Sequence, residues 1–187
     1  MTSGRIIPRL LIALTFLIGI PRLAGAQPQI SAQAREIGIK WLLTNCGTQE
    51  GNRLRDALQR FKAELEPFFL HALQQGPDEK QMAELEQASE ARYRQRQETL
   101  KNNRVPLKEE DRRTAEAVTR EQFISQEKQD FVLRYKSQAA AGLGIVGGPQ
   151  GRAALERLSR DKSSALQSSA AEALRSMTLR DAKSKKQ

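Results

Sequence analysis

The segment YKSQAAAGLGIVG, residues 135–147, is echoed by LQSSAAEAL, residues 166–174, at a constant offset of 31 residues. Ala139 thereby aligns with Ala170. A recurrence at a fixed period of this size is typical of stacked helical repeats, in which each unit buries its apolar face against the next. The pattern predicts two helices that pack side by side, with small residues at their contact and leucines filling the layer between them.

The rest of the chain also has helical periodicity, and no alternating run of β-branched and aromatic residues indicates a strand. A first helix is predicted over residues 32–45, and a second begins near Glu50. Pro67 is predicted to interrupt the second helix and to lie in the first turn of a third, because proline lacks an N–H and clashes with the preceding turn. That third helix should end near Gly76.

A long polar helix is predicted from Glu79 to about Lys101. Asp78 and Gln81 have the spacing of a capping box at its start, and Thr119 and Gln122 repeat that spacing before a later helix. The long helix carries few apolar residues among many charged ones. It is therefore expected to lie mostly in water or along the side of the domain.

The echoed segments resemble the HEAT-like (phycobilin-lyase-type) repeat family over about residues 131–177. The positions that match the family's small residues, leucines, glycine turn and aspartate turn are Ala139, Ala140, Leu143, Gly147, Asp161, Leu166, Ala170 and Leu174. The resemblance implies that these residues form the packing between repeats. The family's arginine is replaced by Lys136 and Gln167, so a weaker polar ladder is expected, with an Asp161–Lys136 pair as one option. Leu54-Arg55 has a fainter likeness to the start of a repeat.

The predicted fold class is all-α, a short right-handed helical-repeat (HEAT-like) stack with additional N-terminal helices and one long polar helix. A single helical domain is expected over residues 27–177, followed by a disordered basic tail at 178–187. Within the domain the expected parts are the N-terminal helices (27–77), the long polar helix and linker (78–118) and the HEAT-like repeats (119–177).

Residues 1–26 have the three parts of a secretory signal peptide, with basic residues, an apolar run over 10–20 and small residues before Gln27. The apolar run is shorter than the roughly 20 residues that a membrane-spanning helix needs. Cleavage after Ala26 removes three arginines and lowers the formal charge from +9 to +6. The chain is therefore predicted to be exported, to the periplasm or the medium. The alternative is an uncleaved amphipathic anchor, through which alone the chain would meet a membrane.

Few side chains of this chain are candidates for catalysis, metal binding or cofactor binding. Cys46 and His71 are the single cysteine and histidine, so no Cys/His metal set is predicted, and no cofactor is expected. Three interpretations of Cys46 remain open: its thiol is buried beside Gly47, it forms an intermolecular disulfide, or it is a reactive group. Residues 142–147 spell G-x-G-x-x-G, but they follow alanine-rich helical sequence instead of a strand, which argues against a dinucleotide site.

The interpretation that these observations favour is a non-enzymatic interaction module or adaptor, whose partner is another protein. Trp41, Phe68 and Tyr135 are the candidate partner-binding residues, provided that they are exposed. The alternatives are a periplasmic holdase-type chaperone and a lyase-like enzyme of the repeat family, and a homodimer is a further arrangement. Aromatic residues make up only 5% of the basic chain, so no specific nucleic-acid binding is predicted.

Overall fold

A computed structural model describes residues 30–44, 49–102, 106 and 108–184, and the regular structure within these ranges is entirely helical. The helices are α1 (Ala32–Leu43), α2 (Gln49–Arg60), α3 (Lys62–Gln75), α4 (Glu79–Lys101), α5 (Glu109–Ala117), α6 (Arg120–Val146), α7 (Pro149–Arg160) and α8 (Gln167–Ser184). The prediction of an all-α fold is confirmed. The signal segment 1–26 and Cys46 lie outside the described residues. Within the described ranges, no helix is long and apolar enough to cross a bilayer.

Helix α6 is the central helix of the fold, because α3 and α4, which follow each other in the chain, both pack against it. The ring of Phe69 in α3 lies against Gly142 near the carboxyl end of α6. Lys128, near the other end of α6, pairs with Glu86 of α4 at 2.6 Å. Further along α3, the carbonyl of Gln74 accepts from Lys136, and further along α4, Glu90 pairs with Arg120, so both helices run antiparallel to α6. The bend between them falls at Gly76, whose φ of 81° lies in the left-handed region that favours glycine.

The two echoed segments lie on α6 and α8, which are neighbours that run in the same direction. The hydroxyl oxygens of Ser137 and Ser169 are 3.2 Å apart. Further along, a Cβ added to Gly144 would stand 3.0 Å from the Cα of Ala173, so the two backbones approach closely at this point. The second contact lies nearer the carboxyl end of both helices than the first. The helices are therefore parallel, as equivalent helices of successive repeats would be.

The predicted packing residues occupy three environments. Ala139, Ala140, Leu143 and Ala170 are buried in the core. Leu166 and Leu174 are half-buried and pack against that core. Gly147 ends α6 with a φ of 62°, and Asp161 ends α7 in an exposed turn. The largest fully buried side chains are Phe69, Leu58, Leu65, Leu143, Leu155 and Met177. The core thus joins the N-terminal helices to the helices that carry the echo.

Both predicted capping boxes are confirmed. Asp78 Oδ1 accepts from the backbone N–H of Gln81 at 2.8 Å, and Gln81 Oε1 accepts from the N–H of Asp78 at 2.9 Å. Thr119 and Gln122 make the same reciprocal pair at the start of α6. These contacts need only four consecutive residues, which is why the sequence indicates them without knowledge of the tertiary structure.

The prediction that Pro67 starts a helix is wrong. Helix α3 begins at Lys62, after a break at Phe61, and Pro67 lies inside it. An internal proline costs about 3 kcal/mol, but Leu65 and Phe69 on either side are fully buried, and burial of one such side chain contributes about 1.5–3 kcal/mol. Tertiary burial therefore outweighs the local preference. The preceding residue, Glu66, accepts a hydrogen bond from the N–H of Gly151 at 2.7 Å and so caps the start of α7.

The prediction of a disordered tail at 178–187 is wrong for the residues that the structure describes, because α8 continues to Ser184. Arg180 accounts for the continuation. Its Nη1 donates to the carbonyl oxygens of Gly144 and Ile145, two of the last carbonyls of α6. Arg152 of α7 pairs with Asp181 at 2.6 Å. A basic residue is favourable at a helix carboxyl end, so this segment of α8 is held by α6 and α7.

We expect Arg180→Ala to lower the free energy of unfolding by about 2 kcal/mol, since it removes charge-assisted hydrogen bonds to partly buried carbonyls. Chemical denaturation measures the change. Arg175→Ala is the matched control on the same helix, because Arg175 forms an exposed pair with Glu172 at 2.7 Å and such pairs contribute about 0–1 kcal/mol. Equal effects of the two substitutions would contradict the capping role.

The Asp161–Lys136 pair does not form. Lys136 Nζ donates instead to the carbonyl of Gln74 at the end of α3, at 3.0 Å. Asp161 accepts from the hydroxyl of Ser163 at 2.6 Å, and hydrogen bonds from Ser163 hold the pKa of Asp161 below its ordinary value. Gln167 donates to the carbonyl of Ser159 at 3.2 Å. The polar contacts at these positions therefore satisfy local helix ends and do not link the two echoed segments.

Helices α4 and α5, with residues 120–134 of α6, form a polar arm. Its helices are joined by a small apolar contact, in which the rings of Tyr93 and Phe123 lie 5.7 Å apart. The remaining contacts between α4 and α6 include three ion pairs, Arg92–Glu127, Arg120–Glu90 and Lys128–Glu86. The narrow apolar stripe of α4 thus packs against α6, while the other faces of α4 carry charged side chains.

Candidate partner-binding groove

A groove of about 1010 Å³ lies between α2, α6 and α8. Helix α2 forms one wall, α6 and α8 form the floor, and Trp41 of α1 also lines the groove. Its volume is at the upper end of the range of about 300–1,000 Å³ for small-molecule sites. A groove formed by successive parallel helices of a stack is also the surface on which repeat proteins hold their partners.

Small side chains form part of the groove floor, beside the larger Ile145 and Leu179. Gly144 of α6 lies against Ala173 of α8, and the hydroxyl of Ser137 lies 3.2 Å from that of Ser169. The spacing of small residues along each helix lets the two backbones approach, and it leaves a shallow channel above their line of contact. Ser176 extends this floor toward the end of α8 and is exposed. The serines offer hydroxyl groups that both donate and accept hydrogen bonds.

The walls carry arginines. Arg55 projects from α2 and Arg134 from α6, and the guanidinium carbon of Arg134 lies 5.7 Å from the centre of the Phe131 ring. Glu172 is the carboxylate of the groove, and it already pairs with Arg175. Arg180 closes one end of the groove while it caps α6. Arginine stays protonated at all physiological pH values, so these walls are permanently cationic.

Two of the three candidate partner-binding residues lie inside the protein. Trp41 is only 3% exposed, and its indole N–H donates to the backbone carbonyl of Gln138 at 2.8 Å. Gln138 in turn donates to the carbonyl of Thr44, at the end of α1, at 2.6 Å. Tyr135 is 6% exposed, and burial raises the pKa of its phenol. The exposure on which their partner role depended is therefore missing, and both residues hold α6 in the core.

Phe68 is half-buried and lies in a different cleft. Its ring packs edge-on against Phe69, with the ring centres 5.3 Å apart, and it covers Gly38 of α1. The cleft has a volume of about 530 Å³ and includes Ile39, which is 37% exposed, and His71. Tyr135 also lines this cleft, so the structure brings Phe68 and Tyr135 to one place and leaves Trp41 at the other groove.

The residues considered for chemistry are dispersed. His71 is exposed on α3. Gly142 and Gly144 of the G-x-G-x-x-G motif lie within α6, where Gly142 faces the Phe69 ring and Gly144 faces Ala173. These glycines serve helix packing and do not form a phosphate-binding loop. Among the residues that the structure describes, no group of three His, Cys, Asp or Glu side chains is placed to hold a metal ion.

Sequence reasoning missed Arg134 and the serines as groove residues. A signal for part of the groove was present, because Ser137 and Ser168 occupy equivalent positions of the echo and both line it. Leu54-Arg55, with its fainter likeness to the start of a repeat, also contributes Arg55 to the groove lining. The position of Arg134 carried no such signal, since only the packing of α2 and α8 around α6 decides which face of α6 is open.

No protein-family model, no curated protein sequence and no solved structure matches this chain. The fold and the groove therefore define a broad class of protein, an all-α protein with a cationic groove between parallel helices.

Proposed function

We propose that this chain is a non-enzymatic, exported helical-repeat protein that acts as a protein–protein interaction module or adaptor. The observation that supports the proposal is the groove of about 1010 Å³ between α2, α6 and α8. The echoed helices run parallel at its floor, as the HEAT-like interpretation of residues 131–177 requires. Residues 1–26 act in this proposal as a secretory signal that is cleaved after Ala26.

The ionisable groups of the groove favour recognition over catalysis. Three are arginines, which cannot take up or release a proton near neutral pH. The fourth, Glu172, is exposed and already paired with Arg175 at 2.7 Å.

A photo-crosslinking experiment tests the groove as the partner site. A benzoylphenylalanine residue replaces Ser168 or Ser176 in the groove, or Ser125 on the polar arm as the matched control; all three serines are exposed helical residues. The variants are expressed in cells that naturally produce the protein, and the adducts are identified by mass spectrometry. We expect one discrete adduct from the two groove positions and none from Ser125.

Other outcomes separate the alternatives. Adducts of many masses from the groove positions would indicate a holdase, and an adduct with a second copy of this chain would indicate a homodimer. Adducts of equal yield from all three positions, or none from the groove, would refute the groove as a specific partner site. The identified partner is then purified, and its dissociation constant is measured directly with the unmodified chain.

A further inference from the structure

Two cations of the groove, Arg55 and Arg134, lack the carboxylate partners that cations of the polar arm have. In the polar arm, Arg92, Arg120 and Lys128 each have a carboxylate partner. Arg55 and Arg134 take part in none of the ion pairs found among the described residues. Arg55 lies on α2 and Arg134 on α6, so two different helices each contribute one of these arginines to the groove lining. The groove therefore has two available guanidinium groups.

The remaining charges of the groove do not offset this surplus. Glu172 is neutralised by Arg175 at 2.7 Å. Arg180 is engaged with the carbonyls of α6, and its Nη2 lies 3.5 Å from Asp181. Since an arginine fork matches a carboxylate with two parallel hydrogen bonds, the two unmatched arginines suit a ligand that carries at least two carboxylates.

The floor suits a helix as the occupant. Residues 168–180 of α8, which bound the groove, extend over about 18 Å at 1.5 Å per residue. That length corresponds to about three turns, or 12 residues, of a docked helix. Ser168 and Ser176 of α8 are exposed along this length, and their hydroxyls can donate to polar side chains of a docked helix.

We propose that the groove binds an acidic helical segment of a partner protein, with glutamate or aspartate side chains on Arg55 and Arg134. This inference rests on the proposed function and specifies the chemistry of its partner. A single-stranded nucleic acid, the other polyanion, is bound on exposed aromatic faces. The aromatic residue of this groove, Trp41, is 3% exposed and offers none.

The inference is tested with the full chain and a fluorescein-labelled 14-residue peptide built from alanine and glutamate, by fluorescence anisotropy in dilute salt. A second peptide has glutamine in place of every glutamate. The variant R55A/R134A removes both wall cations. The control R53A/R94A removes the same charge from two exposed arginines outside the groove. Thermal melts establish that both double variants are folded.

We expect the acidic peptide to bind the unmodified chain and the control with dissociation constants that agree within about twofold. R55A/R134A should weaken binding by at least about tenfold, and the glutamine peptide should bind at least about tenfold more weakly than the acidic one. Binding should also weaken as salt rises, because the contacts are electrostatic.

Several results would overturn the inference. One is an acidic peptide that fails to bind, that binds no better than the glutamine peptide, or that loses equal affinity in both double variants. Tighter binding of single-stranded DNA with the same dependence on Arg55 and Arg134 would assign the groove to nucleic acid. A dimer in analytical ultracentrifugation that dissociates in R55A/R134A would assign it to a second copy.

The crosslinking experiment keeps this inference distinct from the proposed function. A discrete partner that is crosslinked at Ser168 and Ser176 through a segment without an excess of acidic residues overturns the charge inference, and the groove remains a docking site. The absence of groove-specific adducts overturns the docking site itself.

Discussion

Replacing Leu143 with aspartate is expected to unfold the helices around α6. Leu143 is completely buried at the point where α6 meets α7 and lies against Gly151. A carboxylate at this position has no basic partner and loses its water, so we expect a loss of more than about 4 kcal/mol. Because whole domains are stable by only about 5–15 kcal/mol, circular dichroism should show a large fall in melting temperature or no cooperative transition.

Two further leucine-to-aspartate changes control for the chemistry of the substitution. Leu174, the echo of Leu143, is half-buried, so Leu174→Asp should cost less, about 1–2 kcal/mol. Leu179 is 60% exposed, and Leu179→Asp should change stability by no more than about 0.5 kcal/mol. Equal melting temperatures for the Leu143 and Leu179 variants would mean that the interior is assigned wrongly.

Phe69→Ala is expected to lower the free energy of unfolding by about 3–5 kcal/mol, the usual cost of deleting a buried aromatic ring. Phe69 is fully buried, and its ring fills the space over Gly142 of α6. The loss leaves a cavity between α3 and α6, the pair of helices that joins the N-terminal part of the chain to the echoed segments. Urea denaturation at constant temperature measures the change.

The contact itself is tested by Gly142→Ala in two backgrounds. A Cβ on Gly142 would stand 2.8 Å from two atoms of the Phe69 ring, so Gly142→Ala alone should destabilise by about 1–3 kcal/mol. In a Phe69→Leu background, where the ring is absent, the same change should be nearly neutral or favourable, because alanine is the better helix former by about 1 kcal/mol. Additive effects of the two substitutions would contradict this contact.

Sequence alone predicted the features that depend on neighbouring residues. The two capping boxes and the bounds of α4 follow from signals within single turns, and the structure confirms them. The all-α class follows from periodicity, which any helix with a buried face must have. The echo indicated that small residues matter on α6 and α8, since alanine and glycine recur where two backbones approach.

Only the tertiary structure decided where those helices lie and which faces they leave open. Pro67 remains within α3 because Leu65 and Phe69 are buried on either side of it. Helix α8 continues beyond residue 178, where the tail was predicted to start, because Arg180 donates hydrogen bonds to carbonyls of α6. Trp41 lies in the core instead of on a surface because a backbone carbonyl almost a hundred residues away accepts its N–H. The unmatched arginines of the groove have the same origin. The distance between two charges depends on the packing of whole helices, which no local sequence pattern contains.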